Sequence, residues 1–425
     1  MLPMSPGLPP PLVHRYAVVV ALLHLIIATV ALFLLAGAAA AAARISDMPE
    51  LPLTDTADWG HVIQVSAGGG HTCGVNVKGE VWCWGTGFYG QLGDGTQGES
   101  SVPVRVRGIT SALQVSAGGQ QTCAVVRSGE AWCWGDGYNG RLGNGHTSNS
   151  SVPVRVAGLD DIKEVSAGAN HTCALRRNGE VWCWGDGSYG QLGNGFLRSS
   201  AVPVLVTGLG GVKKLSAGTS HTCALTRDAA VWCWGKGSDG QLGQAVHGST
   251  VPVQLDIGNV LQISAGGNSS CALKTSREVS CWGGSGLRRR YGAVHEDTFL
   301  PERMTSFGDV QRIAAGGRHV CVQRKIGTVH CWGVGTAGRL GNGASFDSRE
   351  PVQVIGLFDA AHISSGVNHS CAVDSSGEVW CWGRGNSSQL GNATARSSSV
   401  PVKVGPRPRA PREQLQGPEA PSRRG

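Results

Sequence analysis

Residues 160–209 read DDIKEVSAGANHTCALRRNGEVWCWGDGSYGQLGNGFLRSSAVPVLVTGL, and variants of this unit fill most of the 425-residue chain. The unit contains four short runs that are typical of β-strands, IKEVSAG, HTCAL, EVWCWG and VPVLV, separated by Gly, Asn and Ser. Seven copies follow one another at intervals of 48 or 50 residues, and none shows helical periodicity. Four short strands per unit, repeated seven times, predict an all-β protein, a seven-bladed β-propeller of four-stranded blades.

A linear solenoid is the alternative architecture for stacked repeats. The first and last units lack the distinct capping sequence that a solenoid needs, so a closed ring is favoured. Residues 61–404 hold seven nearly whole units, which predicts that the first and the last blade meet edge to edge. The sequence leaves open how the ring is closed.

The cysteines follow the repeat without exception. All 14 fall into pairs with a spacing of ten residues, one pair per unit. In a hairpin of the second and third strands, the two members oppose each other within disulfide range. We therefore predict one bridge inside each blade: Cys73–Cys83, Cys123–Cys133, Cys173–Cys183, Cys223–Cys233, Cys271–Cys281, Cys321–Cys331 and Cys371–Cys381. Such bridges persist in oxidising compartments.

The hairpin turn calls for a residue in the left-handed conformation, because the spacing of the cysteines requires a loop of odd length. Glycine suits this position, and it stands there at Gly79, Gly129, Gly179 and Gly377. Asp228-Ala229-Ala230 breaks the pattern in the fourth unit, and Ser276-Arg277-Glu278 breaks it in the fifth.

A histidine two residues before the first cysteine raises the alternative of a metal site. It recurs on the same strand face as the cysteine, at His71, His171, His221, His319 and His369. A zinc site usually needs four ligands and a short CxxC-like spacing, which the units lack. We expect no metal and interpret these histidines as structural hydrogen-bonding groups. Twelve of the 13 tryptophans also follow the repeat, and we interpret them as core residues between blades.

Five units match GxGxxG, the first at residues 85–90, which raises the alternative of dinucleotide binding. That fingerprint requires a helix to follow and an acidic residue about 20 positions later, whereas QLG or RLG follows here. We interpret the glycines as turn residues and expect no cofactor. No catalytic motif stands out from the repeat, so we expect no catalytic residue and no enzyme.

The two ends of the chain differ from the repeats. Residues 1–44 are mostly apolar and predict a hydrophobic helix, either a signal peptide or a signal anchor, and both export the rest of the chain. Residues 45–60 then form a linker. Residues 405–425 are rich in Pro and Arg and predict a disordered, basic tail. Between the ends, 29 basic and 27 acidic residues nearly balance, so we expect no nucleic-acid partner.

The recurring string AGxxHTCAL…GEVWCWGxGxxGQLGxG…VPVxV resembles the repeat of the regulator of chromosome condensation family, and the resemblance spans residues 61–404. It implies a seven-bladed propeller. The cysteine pairs resemble the exported branch of that superfamily, which includes β-lactamase-inhibitory propellers and Crinkly-type receptor ectodomains. The founding nuclear member exchanges nucleotide on a GTPase and binds chromatin. We assign its exchange loop to no residues of this sequence. Kinase motifs are absent from this sequence.

Function in such a fold resides in the loops at the two ends of the ring, so departures from the repeat are the candidates for partner binding. Two sets stand out. Aromatic residues occupy an equivalent loop of the first three units, at Phe88, Tyr89, Tyr138 and Tyr189. The fifth unit lacks QLGNG and carries a basic and aromatic insertion, Arg288, Arg289, Arg290 and Tyr291. Aromatic and Arg side chains are common interface anchors. Local packing and decay of the repeat are the respective alternatives.

The sequence thus predicts an exported, non-catalytic propeller that binds a protein through its rim loops. We expect it to be monomeric and extracellular or at the cell surface, touching a membrane only through its N-terminal segment. One alternative is a guanine-nucleotide exchange factor of the regulator of chromosome condensation type. Another is a glycan-binding propeller with a site in the central channel.

Overall fold

The computed structural model of the protein describes residues 59–284, 299–304 and 307–405. These residues form seven separate sheets, each of four consecutive antiparallel strands, so the all-β, seven-bladed prediction is confirmed. The only helices in this part of the chain are single 3-10 turns at Tyr138–Gly140 and Thr336–Gly338. The predicted hydrophobic helix of residues 1–44 and the predicted tail beyond residue 405 lie outside the described residues. Within those residues no helix is long and apolar enough to cross a membrane.

Each blade is built from one unit, and its first strand lies innermost. The first strands of blades 1 to 7 are β1 (Val62–Ala67), β5 (Ala112–Ala117), β9 (Ile162–Ala167), β13 (Val212–Ala217), β17 (Val260–Ala265), β21 (Val310–Ala315) and β25 (Ala360–Ser365). The second strands are β2 (His71–Asn76), β6 (Gln121–Val126), β10 (His171–Arg176), β14 (His221–Thr226), β18 (Ser269–Lys274), β22 (His319–Arg324) and β26 (His369–Asp374).

The outer half of each blade consists of its third and fourth strands. The third strands are β3 (Val81–Gly85), β7 (Ala131–Gly135), β11 (Val181–Gly185), β15 (Val231–Lys236), β19 (Val279–Gly283), β23 (Val329–Gly333) and β27 (Val379–Gly383). The fourth strands are β4 (Ser100–Arg105), β8 (Ser150–Arg155), β12 (Ser200–Leu205), β16 (Gly248–Leu255), β20 (Glu302–Arg303), β24 (Ser348–Gln353) and β28 (Ser398–Lys403). With two residues, β20 is by far the shortest.

The second and third strands pair in the predicted register. In blade 3, Cys173 lies opposite Cys183, and Thr172 lies opposite Trp184. The same alignment recurs in all seven blades, and all 14 cysteines form the predicted disulfides, with Cα atoms 4.0 to 4.1 Å apart. Every bridge is buried and links two adjacent strands of one sheet. Each sheet is therefore covalently fixed at its centre.

Neighbouring blades pack the disulfide face of one sheet against the tryptophan face of the next. Cys73 and Cys83 of blade 1 share a hydrophobic cluster with Trp134 of blade 2. The second tryptophan of each WCW or equivalent segment is almost fully buried in all seven blades: Trp84, Trp134, Trp184, Trp234, Trp282, Trp332 and Trp382. Alternation along a strand separates the two kinds of side chain, so one sheet can supply both halves of the repeating core.

The ring closes through this same interface and without exchange of a strand. Trp84 of blade 1 lies in a cluster with Cys371 and Cys381 of blade 7. Trp59, the tryptophan outside the repeat, packs edge-on against Trp84 with ring centroids 5.6 Å apart. All four strands of blade 7 come from the last unit, so the two blades meet through packed faces, not through paired strand edges.

Candidate functional site

The strand order sorts the loops into two rims. The upper rim contains the loops between first and second strands and those between third and fourth strands; in blade 1 they are joined where the Thr86 amide donates to the Gly70 carbonyl, at 2.9 Å. The lower rim contains the hairpin turns and the connections between blades, joined where the Ala112 amide donates to the Gly79 carbonyl, also at 2.9 Å. The loops that carry Phe88, Tyr89, Tyr138 and Tyr189 belong to the upper rim.

A buried hydrogen-bond chain holds the upper loops to the blades. The Thr122 hydroxyl donates to the carbonyl of Gln91 at 2.9 Å, and the Trp134 indole N–H donates to the same carbonyl at 2.9 Å. His71 Nε2 lies 2.9 Å from the Thr122 oxygen. Because the single hydroxyl proton is given to Gln91, the histidine Nε2–H is the donor in this contact. Counterparts of this chain recur around the ring, including the closing interface, where Thr72 contacts His369 and Gln389.

The recurring histidines are therefore structural hydrogen-bonding groups in this fold. The Nδ1 atoms of His71, His171, His221, His319 and His369 are buried and have no hydrogen-bond partner in the described part of the chain. Protonation would create a buried charge there, and burial lowers the pKa of His71 and His171 to about 4 and of the other three to about 3. Among the described residues no group of His, Cys, Asp and Glu is arranged to hold a metal ion.

Where a unit carries QLG, its glutamine anchors the loop between the third and fourth strands from within. The Gln91 side-chain carbonyl accepts the amide N–H of Tyr89 at 2.9 Å, and the Gly95 amide donates to Ser151 of the next blade, also at 2.9 Å. Where RLG replaces QLG, at Arg141 and Arg339, the loop forms a 3-10 turn and the Arg Nε donates to its backbone. The loops are consequently fixed platforms for the side chains they carry.

The four aromatic candidates project from these platforms into solvent. Phe88, Tyr89, Tyr138 and Tyr189 are 62%, 38%, 65% and 51% exposed, and they come from the loops between third and fourth strands in blades 1, 2 and 3. Sequence reasoning overlooked Phe196 and Leu197, which lie in the same loop of blade 3 and are about two-thirds exposed. Their signal was the apolar pair in the otherwise polar stretch NGFLRSS. The insertion with Arg288, Arg289, Arg290 and Tyr291 lies outside the described residues.

Two buried arginines at equivalent upper-rim positions have opposite surroundings. Arg141 forms an ion pair with Asp136 at 3.1 Å, both side chains being less than a tenth exposed. Burial lowers the pKa of Arg141, whereas Asp136 and Asp186 oppose that effect. Burial also lowers the pKa of Arg339; the nearby Arg318 and Arg384 lower it further, and Asp347 opposes them.

The interface between blades 5 and 6 departs from the others at three matched positions. Ser269 stands in place of the histidine, Val320 in place of the threonine, and the fifth unit lacks QLG. The Trp332 indole N–H, which elsewhere donates to the carbonyl of that segment, is buried without a partner among the described residues. The sequence departure in the fifth unit therefore extends into the core of the ring.

The central channel is narrow and lined by small residues at the upper rim. Residues of the Ala-Gly-Gly type from all seven blades surround a cavity of about 100 Å³, for example Ala117, Gly118 and Gly119. The lining contains no aromatic side chain, and Thr219 and Ser365 are its only hydroxyl-bearing residues. Sugar rings are usually held against aromatic faces, so this lining lends no support to the glycan-binding alternative.

The fold and its repeating interface define a disulfide-bridged, seven-bladed propeller of the regulator of chromosome condensation type. Residues 37–287 and 110–416 match the family model described as the RCC1-like domain, and the chain belongs to this family. The predicted resemblance is thus confirmed. No curated protein sequence gives a significant match.

Solved structures share the fold at low sequence identity. Prp20p from Saccharomyces cerevisiae superposes with a TM-score of 0.68 at 22% identity, over 78% of this chain and 87% of that one. Human WBSCR16 superposes with a TM-score of 0.69 at 24% identity, over 76% of this chain and 93% of that one. The Crinkly ectodomain of the Arabidopsis thaliana receptor kinase ACR4 matches over 76% of this chain and 96% of that one, at 19% identity and with a lower TM-score of 0.47.

Proposed function

We propose that this protein is a non-catalytic binding propeller of an oxidising compartment, and that it binds a protein partner through the upper rim. The observation that carries the proposal is the row of exposed aromatic side chains on anchored loops of blades 1 to 3. Phe88, Tyr138 and Tyr189 are more than half exposed, and Phe196 and Leu197, in the same loop of blade 3 as Tyr189, are about two-thirds exposed.

Anchored loops reduce the conformational entropy that is lost on binding. A loop held by its own hydrogen bonds loses little freedom when a partner docks, so more of the contact energy appears as affinity. Aromatic side chains add large contact area with only two rotatable bonds each. Two of the aromatic residues lie on such a loop: the Tyr89 amide donates to the Gln91 side-chain carbonyl at 2.9 Å, and the Tyr189 amide donates to that of Gln191 at 2.9 Å.

The disulfides support the proposed compartment. Seven buried disulfides with no free cysteine suit an extracellular or other oxidising environment, and rarely form in the cytosol. Export by residues 1–44 would deliver the chain there. The yeast propeller Prp20p, which has the same fold, is described as binding Gsp1p and histones, so a protein-binding role is compatible with this architecture.

The test compares two sets of surface variants of the full chain. The upper-rim variant carries Phe88→Ser, Tyr138→Ser and Tyr189→Ser; the matched lower-rim variant carries Val77→Ser, Ile326→Ser and Phe358→Ser, which are equally exposed. Each purified protein is incubated with secreted material from the cells that make it, and captured proteins are quantified by mass spectrometry. Equal melting temperatures establish that all three proteins are folded.

A protein captured by the wild type and by the lower-rim variant, but reduced at least tenfold with the upper-rim variant, supports the proposal. The same captured set for all three proteins, or a partner lost only with the lower-rim variant, would overturn the choice of rim. Intact mass of the natural protein tests export: free thiols together with an uncleaved N-terminus inside the cell contradict it.

A further inference from the structure

We propose that Arg318, Arg339 and Arg384 form a binding site for the carboxylates of an acidic peptide segment, on the upper rim of blades 6 and 7. We call these three residues the arginine cluster. The proposal deepens the protein-binding function by naming the chemistry of the partner, and it involves a different arc of the rim from the aromatic residues.

The repeat places a second buried arginine, Arg141, at the position equivalent to Arg339. Arg141 and Arg339 both replace the glutamine of the QLG segment, and both are buried, at 4% and 7% exposed. Each makes the same backbone contact: the Arg141 Nε donates to the Tyr138 carbonyl at 3.0 Å, and the Arg339 Nε donates to the Thr336 carbonyl at 2.9 Å. The scaffold around the two guanidinium groups is therefore equivalent.

The side chains that flank the two arginines are not equivalent. Asp136 directly follows the third strand of blade 2 and forms an ion pair with Arg141. Asp186 directly follows the third strand of blade 3 and also acts on Arg141. Val334 and Arg384 occupy those two positions around Arg339. A buried cation is normally paired with an anion, because its desolvation is otherwise uncompensated. At Arg141 the protein supplies the anion itself, whereas at Arg339 it supplies a valine and another cation.

Backbone contacts bring the other two arginines to the same place. The Val334 amide donates to the carbonyl of Arg318 at 2.9 Å, which sets Arg318 beside the position that Asp136 has in blade 2. A Cβ atom built on Gly383 would lie 3.2 Å from the Arg339 Cα, so Arg384 follows directly after a residue that touches Arg339. Arg318 and Arg384 are both exposed.

The local charge favours an anion. Within the described residues, none of the three arginines forms an ion pair, and Arg339 Nη2 donates only to the Thr336 hydroxyl, at 3.0 Å. Asp347 is the one acidic group acting on Arg339, and it is exposed and accepts the Gly335 amide at 2.9 Å. Three guanidinium groups against one carboxylate leave an excess of two positive charges. Guanidinium groups bind carboxylates through two parallel hydrogen bonds, which suits Glu or Asp side chains of a peptide.

The test measures binding of a fluorescently labelled hexaglutamate peptide to the full-length, oxidised protein by anisotropy at low salt. Arg384→Gln removes one exposed charge and should weaken binding about fivefold. Val334→Asp reproduces the carboxylate that pairs with Arg141, so it should fill the site from within, weaken binding at least tenfold and raise the melting temperature.

The matched control is Lys325→Gln, which removes one exposed positive charge from the lower rim of the same blade. It should change the affinity less than twofold, and it controls for the general effect of removing one positive charge from the protein. Equal loss of affinity in Lys325→Gln and Arg384→Gln, or full binding by Val334→Asp, would overturn the site. If the peptide does not bind but capture through the aromatic rim persists, the arginine cluster alone is refuted.

Discussion

The hairpin turn keeps its left-handed residue even where glycine is missing. Gly79, Gly129 and Gly377 have φ between +78° and +85°, as their position predicts. Ala229 and Arg277, at the same place in blades 4 and 5, have φ of +67° and +66°. The broken sequence pattern is thus not a broken turn, because the paired strands on either side impose the conformation. A side chain with a Cβ atom costs about 1–2 kcal/mol in this region.

Replacing Ala229 by glycine should therefore stabilise the protein by about 1 kcal/mol, since the strain is removed and no contact is lost. Urea unfolding of the oxidised protein measures the change. Asp228→Gly is the control, because Asp228 has no positive φ, and glycine there adds freedom to the unfolded chain and removes the hydrogen bonds of the carboxylate with Thr226 and Ala230. A gain from Asp228→Gly as large as that from Ala229→Gly would contradict the explanation.

The buried histidines make the stability of the ring depend on pH. A histidine in the unfolded chain has a pKa of about 6.5, whereas His171 in the folded protein has a pKa of about 4. Below pH 6.5 the histidine is protonated in the unfolded state but stays neutral in the folded state, so the free energy of unfolding falls as the pH is lowered towards 4. Above pH 6.5 both states are neutral, and this contribution is absent.

His171→Gln should flatten the fall in unfolding free energy between pH 6 and 4.5 by about 1 kcal/mol per pH unit. Glutamine is tolerated at this position, because Gln121 occupies it in blade 2 and its amide donates to the Gly168 carbonyl at 3.0 Å. The reverse variant, Gln121→His, should steepen the same curve. Parallel curves for wild type and both variants would show that these histidines do not control acid stability.

Among the elements, the loop between the third and fourth strands depends on one glycine at six of the seven blade interfaces in the described part of the chain. Gly143 has a φ of +70°, and a Cβ atom placed on it would lie 2.7 Å from the Trp184 indole nitrogen. That nitrogen donates to the Arg141 carbonyl at 2.9 Å, so the glycine, the carbonyl and the tryptophan form one packed unit. The GxGxxG and QLG motifs thus belong to the loop between the third and fourth strands, which packs against the tryptophan of the next blade.

Gly143→Ala should lower the free energy of unfolding by about 2–4 kcal/mol, since backbone strain and overlap with Trp184 act together. Gly158→Ala is the matched control: its φ is +63°, but nothing lies within 4 Å of the added Cβ atom, so only about 1–2 kcal/mol is expected. Denaturant unfolding followed by tryptophan fluorescence gives both values. Equal losses would mean that contact with the tryptophan contributes nothing.

On the scale of the whole molecule, the interface that closes the ring has the same packing of tryptophan against disulfide as the interfaces inside it. The bond from the Trp84 indole to the Gln389 carbonyl, 3.0 Å, closes the ring in the same way that Trp134 binds Gln91 inside it. Trp59 adds an edge-on contact with Trp84 at the closing interface. The interface between blades 5 and 6 keeps the contacts of Gln262 with Ile313 and of Ser264 with Ala315, but Ser269 and Val320 replace the histidine–threonine pair there.

The buried position of the bridges predicts how the protein responds to reductant. Because all seven disulfides lie in packed interfaces, dithiothreitol alone should release no thiol from the folded ring over hours, whereas reduction in denaturant should release 14. Timed alkylation and intact mass count the thiols. Rapid reduction without denaturant would show that the blades open readily.

Removal of one bridge by Cys173→Ala and Cys183→Ala should lower the free energy of unfolding by about 3 kcal/mol, the value for a loop of this length.

Much of the fold followed from the period of the sequence. The opposition of Cys173 and Cys183 followed from their spacing, and the alternation of tryptophan and cysteine followed from the two-residue period of a strand. The exposed aromatics could be placed on one rim because each lies in the same loop of its unit. The contrast between Arg141 and Arg339 could not be predicted, because it depends on which residues of adjacent blades meet.

By itself, the sequence determined the number of blades, the four strands of each, the disulfide pairing and the alternation of core side chains, since all of these are local within one unit. Only the tertiary structure decided how the ring closes, what the recurring histidines bind and which charges surround Arg339. These features join residues about 50 or about 300 positions apart, as in the contacts of His71 with Thr122 and of Thr72 with His369. A repeat specifies its own strands, but its neighbours in space determine what its side chains meet.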